Sequence, residues 1–265
     1  VTGITIRTIF TAYYKTMIIH FRLRDEDCYA DLSRPIDISL PLSPSGGVEA
    51  FYLPSMRVEP FRAGAFVGDV TQGGPCNVNT VTLNPHGNGT HTETVGHISK
   101  EKETVQDHVK KFWFVADLVS VNPSKLFDDL VILPEQLHAV LQDADEALVI
   151  RTRPNQAGKA TRHYSGTNPV FLHHEAAALI REAGIRHLLI DLPSVDKEED
   201  GGALKAHHAF WNHPEHTRRD ATITELIYVP DEVPDGRYLL NLQVISIEND
   251  ASPSKPVLYR IHRSR

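Results

Sequence analysis

The stretch NPVFLHHEAAALIREAGIRHLLIDLPSVD, residues 168–196, decides the fold class. Its first half repeats apolar residues at helical spacing, which predicts a helix over roughly 171–183 with a stop at Gly184. HLLIDL follows at once as a strand, and ALVIRTR (147–153) precedes the helix as another. Strand, helix, strand in this order predicts a βαβ unit, because two parallel strands need a crossover to join them.

Outward from this unit the pattern is strand-rich. FWFVADLVSV (112–121) reads as a buried strand, and LPEQLHAVLQDA (133–144) as a helix with Pro134 in its first turn. TITELIYV (222–229), YLLNLQVISI (238–247) and KPVLYRIHR (255–263) read as late strands, and MIIHFRL (17–23) as the first. The chain is therefore mixed α/β, with more strand than helix. Residues 1–16 read as a leader of uncertain order with Met17 a candidate start, and residues 17–265 as a single domain without a repeat or linker.

Composition narrows the function. Of 265 residues, 41% are hydrophobic and 23% charged, with a net charge of −7 and no lysine or arginine block, which argues against nucleic acid as a partner. No apolar run is long enough to span a membrane, and the cytoplasm is the expected location. Cys28 and Cys76 read as free thiols. Histidine is the outlier at 15 residues, clustered at 86–97, 173–174 and 207–216.

The first cluster, NPHGNGTHTETVGHIS (84–99), carries the chemistry. NVNTVTL before it reads as a strand running into a bend at Gly87 and Gly89. His91 and Glu93 share a face on an extended backbone, so both can hold one cation. The two glycines allow His86 to turn back towards the same ion. His97 is either a further ligand or a proton carrier near neutral pH.

The pattern H-x-x-G-T-H-x-E-x-x-x-H resembles the H-x-G-T-H-x-D-x-P-x-H motif of the cyclase family, the group of kynurenine formamidase- and isatin hydrolase-like metal-dependent hydrolases. DLSRPIDISLPL (31–42), LLIDLPSVD (188–196), and AHHAFW (206–211) followed by TITELIYV are similar to further segments of that family, in the same order. The resemblance implies a swivelling β/β/α fold and a homodimer or larger assembly. It implies a divalent metal, zinc or manganese, on His86, His91, Glu93 and His207, with His97 as acid/base and Glu225 completing the site as ligand or catalyst. His208 and His213 stand as alternatives to His207, because the segment before Glu225 is longer than usual. This chain also departs from the motif by one extra residue between His86 and His91, glutamate for aspartate at Glu93, and no proline in the Val95–Gly96 region.

The expected activity is hydrolysis of an amide, formamide or cyclic amide in a small-molecule substrate. A metal- or ligand-binding protein without turnover, and a lyase or cyclase acting on a polarised carbonyl, are the alternatives. Asp191, Ser194 and Asp196 read as capping and strand-end residues, and His173 and His174 as a solvated helix start. Arg151 and Arg153 alternate on a strand, with nothing to say which faces substrate. Phe66, Phe112, Trp113 and Trp211 read as core.

Overall fold

The strand read from ALVIRT is buried along its whole length, as a strand covered on both faces requires. It lies parallel to a neighbour on each side. The structure is a computed structural model describing residues 16–264, so all but the last residue of the expected leader lies outside the described residues. The strands of the main sheet are β1 His91–Glu93, β2 Trp113–Val121, β3 Ala147–Thr152, β4 His187–Ile190, β5 Thr222–Glu225, β6 Gly236–Val244 and β7 Ala251–Arg260. The helices that bear on the site are α1 Pro85–Asn88, α2 His174–Glu182 and α3 Lys205–Trp211.

The spatial order is β6-β2-β3-β4-β5-β1-β7, and β6 also pairs with β7, so these strands close into a ring. β2 to β5 run parallel, while β1 is antiparallel to both β5 and β7. Ile36–Asp37 adds a short strand to β7. Successive side chains point to opposite faces of a strand, and the sequence uses both. Ala147, Val149 and Leu189 fill the ring with Phe114, Leu118, Leu240 and Leu258. Leu148, Ile150, Leu188, Ile190 and Ile223 point outward and pack with Ala176 and Ile180 of α2 and with Ala206, Phe210 and Trp211 of α3. The predicted crossover is present: β3 and β4 are parallel, and α2 packs between them in sequence.

Three element boundaries differ from the sequence reading. α2 starts at His174, because Phe171–Leu172 instead pairs as a strand with Asp129–Ile132. The helix expected over 133–144 is a 3-10 turn, Pro134–Gln136, followed by one turn at His138–Leu141. There the Gln136 side chain folds back to accept from Leu133 N–H at 2.7 Å. The strand expected to enter the histidine stretch, Asn79–Thr82, pairs with Arg57–Pro60 as an exposed two-stranded arm.

Arg151 is buried and donates to Ser120, to the carbonyls of Pro230 and Val233, and to Asp235, so it fastens strand ends rather than facing substrate. Of the four aromatics expected in the core, Trp211 is fully buried, Phe66 is half-buried, and Phe112 and Trp113 are exposed at the start of β2. Among the described residues, no helix is long and apolar enough to cross a membrane.

Leu188 lies at the sheet–helix interface with no exposed surface. Replacing Leu188 by Ala is expected to cost about 2–5 kcal/mol. It should read as a lower urea midpoint with an unchanged slope.

Candidate metal centre

The histidine stretch is shaped by local capping. Asn84 accepts from His86 N–H at 3.0 Å and Pro85 occupies the first helical position, so α1 forms a single turn. Gly87 is required there by close approach: a Cβ would stand 2.9 Å from the Ala50 carbonyl oxygen. Thr90 then stitches the chain to its neighbours, donating to the Leu226 carbonyl and accepting from Leu40 N–H. β1 follows between β5 and β7. Its register sets His91 opposite Glu225 and Glu93 opposite Ile223. Ile223 faces α2 and α3, so His91, Glu93 and Glu225 share that face. Thr92 points the other way and meets Thr224 at 2.8 Å. Beyond β1, Thr94 caps the 3-10 turn Val95–His97. Gly96 is the second residue held to glycine by packing, since a Cβ there would fall 2.0 Å from the Glu103 carbonyl oxygen.

The fold brings every residue of the expected site together. His86 Nδ1 lies 3.1 Å from Glu93 Oε2, and His207 Nε2 lies 3.1 Å from Glu93 Oε1. His91 Nε2 is 3.4 Å from Glu225 Oε2, and His207 Nε2 is 3.8 Å from Glu225 Oε1. His97 Nδ1 is 3.8 Å from Glu93 Oε2. The alternatives to His207 lie apart from this cluster. His208 bonds the His213 carbonyl, and His213 bonds Thr217, forming a separate pair of rings.

Outer partners fix two of these rings. His91 Nδ1 donates to the Gly89 carbonyl at 3.0 Å, which turns Nε2 towards Glu225. His207 Nδ1 is 2.6 Å from Asp196, and its Nε2 faces the two glutamates. An outer acceptor of this kind sets the tautomer of a metal-binding histidine. Asp196 also accepts from the N–H groups of Ala206 and His207, so the capping read from the sequence is real but incomplete. Sequence reasoning missed Asp250 entirely. It lies in no motif, yet its Oδ2 is 2.9 Å from His86 Nε2 and 3.6 Å from His97 Nδ1.

Two buried atoms at the centre are poorly served. His91 Nε2 makes no hydrogen bond, and Glu93 Oε2 makes none of good geometry, with only the His86 ring at 3.1 Å to answer it, which is costly for a lone pair and more so for a charge. A cation would satisfy both. The donor atoms of His91, Glu93 and Glu225 lie within 4.8 Å of one another, as do those of His86, Glu93 and His97, with Glu93 common to both groups. Imidazole nitrogens and carboxylate oxygens converging on buried, unpaired atoms fit a divalent metal.

The charges are strongly interdependent. Burial alone would raise the Glu93 carboxyl, but His97, His207 and His86 hold it well below the usual range. Burial disfavours protonation of His207, yet Asp196, Glu93 and Glu225 push it up to about 10. Asp250 and Glu93 likewise outweigh burial at His86, which also rises to about 10. The hydrogen bond from His86 and the neighbouring His97 hold Asp250 far below the usual carboxylate range. His86, His97 and Glu225 open onto a cavity of about 580 Å³, walled on its apolar side by Phe51, Leu53 and Leu204. Phe51 takes a left-handed backbone with φ of 59°, a conformation that side chains rarely adopt and that tends to mark functional sites.

Residues 30–197 match the family described as putative cyclase. The chain belongs to that family. Its curated relatives include the kynurenine formamidase of Bacillus mycoides (strain KBAB4), 30% identical over 190 residues, which cover 70% of this chain and 81% of the relative. The kynurenine formamidase of Bacillus cereus (strain ATCC 10987 / NRS 248) is 29% identical over 192 residues, 71% of this chain and 82% of the relative. Among solved structures, isatin hydrolase A from Labrenzia aggregata superposes with a TM-score of 0.63 at 16% identity, over 85% of this chain and 93% of that one. A predicted metal-dependent hydrolase from Bacillus stearothermophilus gives 0.59 at 17% identity, over 85% and 98%. These likenesses of structure establish the cyclase-family fold expected from the sequence.

The raised histidines predict a pH signature. Both rise from 6.5 to about 10, so their contribution to the stability of the metal-free protein is complete below about pH 6.5. It is lost as pH climbs towards 10. A cation competes with the same protons. Thermal melts of chelator-treated protein should show Tm falling through this window, while the gain on adding a divalent metal grows.

Proposed function

We propose that the chain is a hydrolase of an amide, formamide or cyclic amide, with zinc or manganese held by His86, His91, Glu93, His207 and Glu225. The observation that carries the reading is the pair of buried atoms without a well-formed hydrogen bond, His91 Nε2 and Glu93 Oε2, beside a cavity in a chain related to formamidases. Bound at these atoms, a divalent ion supplies a Lewis acid for the amide carbonyl and makes water nucleophilic near neutral pH. The donor set suits both metals, since imidazole favours zinc and carboxylate favours manganese.

The side chains of the chain divide the remaining work. Glu93 and Glu225 provide the negative charge that holds the ion. His91 and His207 each turn Nδ1 to an outer acceptor, so that Nε2 is the nitrogen that would face the ion, at His207 in place of the proton it now shares with Glu93. His97 lines the cavity and makes no hydrogen bond of this kind at either nitrogen. It is therefore assigned as the acid/base, taking a proton from the attacking water and returning it to the leaving nitrogen. Glu225 is assigned to the ligand set rather than to proton transfer. Its Oε1 is held by Val195 N–H at 2.9 Å, which leaves Oε2 directed at His91. With the longer turn before His91, His86 Nδ1 still lies 3.1 Å from Glu93 Oε2.

The kynurenine formamidase relatives make an aryl formamide such as N-formylkynurenine the first substrate to assay. His97→Gln is expected to keep the metal and lower kcat/KM by about 10²–10⁴-fold. His91→Ala should lose both metal and activity. Elemental analysis alongside single-substrate kinetics separates the two, and full activity in both variants would overturn the assignment.

The same reading includes a cytoplasmic homodimer. The free thiols of Cys28 and Cys76 suit a reducing compartment. The two-stranded arm exposes Val58, Phe61, Val78 and Val81, and an isolated hairpin is marginal in water. Light scattering should give twice the chain mass, and Val58→Glu with Val81→Glu should shift the protein towards monomer.

A further inference from the structure

His86 presents a mechanical problem that the other two ring nitrogens do not. His91 stands on a central strand and His207 is buried in α3. His86 stands on a single helical turn, with a side chain 19% exposed, and is separated from His91 by one residue more than the motif it resembles. A ring so placed has freedom to swing into the cavity.

Asp250, immediately before β7, removes that freedom. Its Oδ2 lies 2.9 Å from His86 Nε2. With Nε2 turned to this carboxylate, the ring presents Nδ1 to Glu93 Oε2, 3.1 Å away, the position from which it would bind an ion once its proton is displaced. The relation is the one that Asp196 has to His207 and the Gly89 carbonyl to His91: an acceptor on the far side of each ring fixes which nitrogen is free. Asp250 also grips the other end of the stretch. Its carbonyl accepts from Thr94 N–H at 3.0 Å and from Thr94 Oγ1 at 3.2 Å, and Thr94 caps the turn that carries His97. One residue outside the histidine stretch thus ties down both its flanks. It does so from the connection between β6 and β7, where Ala251 pairs with Glu93.

We propose that Asp250 is the positioning residue that holds His86 as a metal ligand, so that the longer turn is tolerated. The inference rests on the metal-centre reading above. It assigns Asp250 no contact with substrate, and Asp250 does not line the cavity.

The test is zinc affinity, measured by competition with a chromogenic chelator at fixed pH, on the full chain. Asp250→Ala is expected to weaken zinc binding by about 10–100-fold. Asp250→Asn keeps an oxygen that accepts from Nε2–H and should recover most of the loss. Asp250→Ser keeps the backbone contacts to Thr94 but cannot reach the ring, so it should match Ala and decides the matter if Ala does not fold. In a His86→Ala background, Asp250→Ala should have no further effect. Melting of the metal-free proteins separates a fold defect from a ligand defect. Wild-type affinity in both Asp250→Ala and Asp250→Ser, or losses that add to that of His86→Ala, would overturn the proposal. Wild-type protein that binds no zinc or manganese would instead overturn the metal-centre reading itself.

Discussion

A carboxylate with no exposed surface, on the middle strand of three, governs this molecule. Glu93 sits between β5 and β7 and is wholly buried, where an uncompensated charge would cost several kcal/mol. The surroundings answer that charge from each open direction. His207 approaches from α3, His86 from α1, and His97 from the turn that follows β1. The remaining deficit, one oxygen of Glu93 and one nitrogen of His91, is where a divalent cation belongs. The centre is thus a charge-balance solution before it is a catalytic one.

The ring supplies rigidity and the loops supply the variable chemistry. The parallel strands β3 and β4 are fastened at their ends by Asp191, which accepts from Thr152 N–H at 2.9 Å and from Lys159 Nζ at 2.7 Å. The segment leaving β4 then delivers Ser194, Asp196 and the Val195 N–H to the site. Asp196 orients His207, and Val195 N–H holds Glu225. The residues that would do the chemistry are therefore set by strand ends whose positions are fixed by the core on both faces of the sheet.

The departures from the motif meet at Glu93. The longer glutamate side chain spans two partners at once, with Oε2 towards His86 and Oε1 towards His207, each at 3.1 Å. The segment before His91 contains a helical turn at Pro85–Asn88, which the alternation of NVNTVTL did not reveal. Propensity and period describe the strand pairs well. They describe poorly a single turn whose only support is one asparagine cap and a close contact of Gly87 with the chain at Ala50.

The βαβ unit and the shared face of His91 and Glu93 were legible in the sequence, because each depends on local periodicity; His86 and His97 were candidates from their place in one short stretch, and Glu225 only through the family resemblance. Tertiary structure decided what depends on distant segments meeting. It set His207 against Glu93 and turned His208 away towards His213, since only one face of α3 turns towards the sheet. It enlisted Asp196 as an orienting base, and it brought Asp250 across from β7 to a histidine 164 residues away. Local periodicity encodes which face a side chain takes. It holds no record of which faces the closing of the ring presses together.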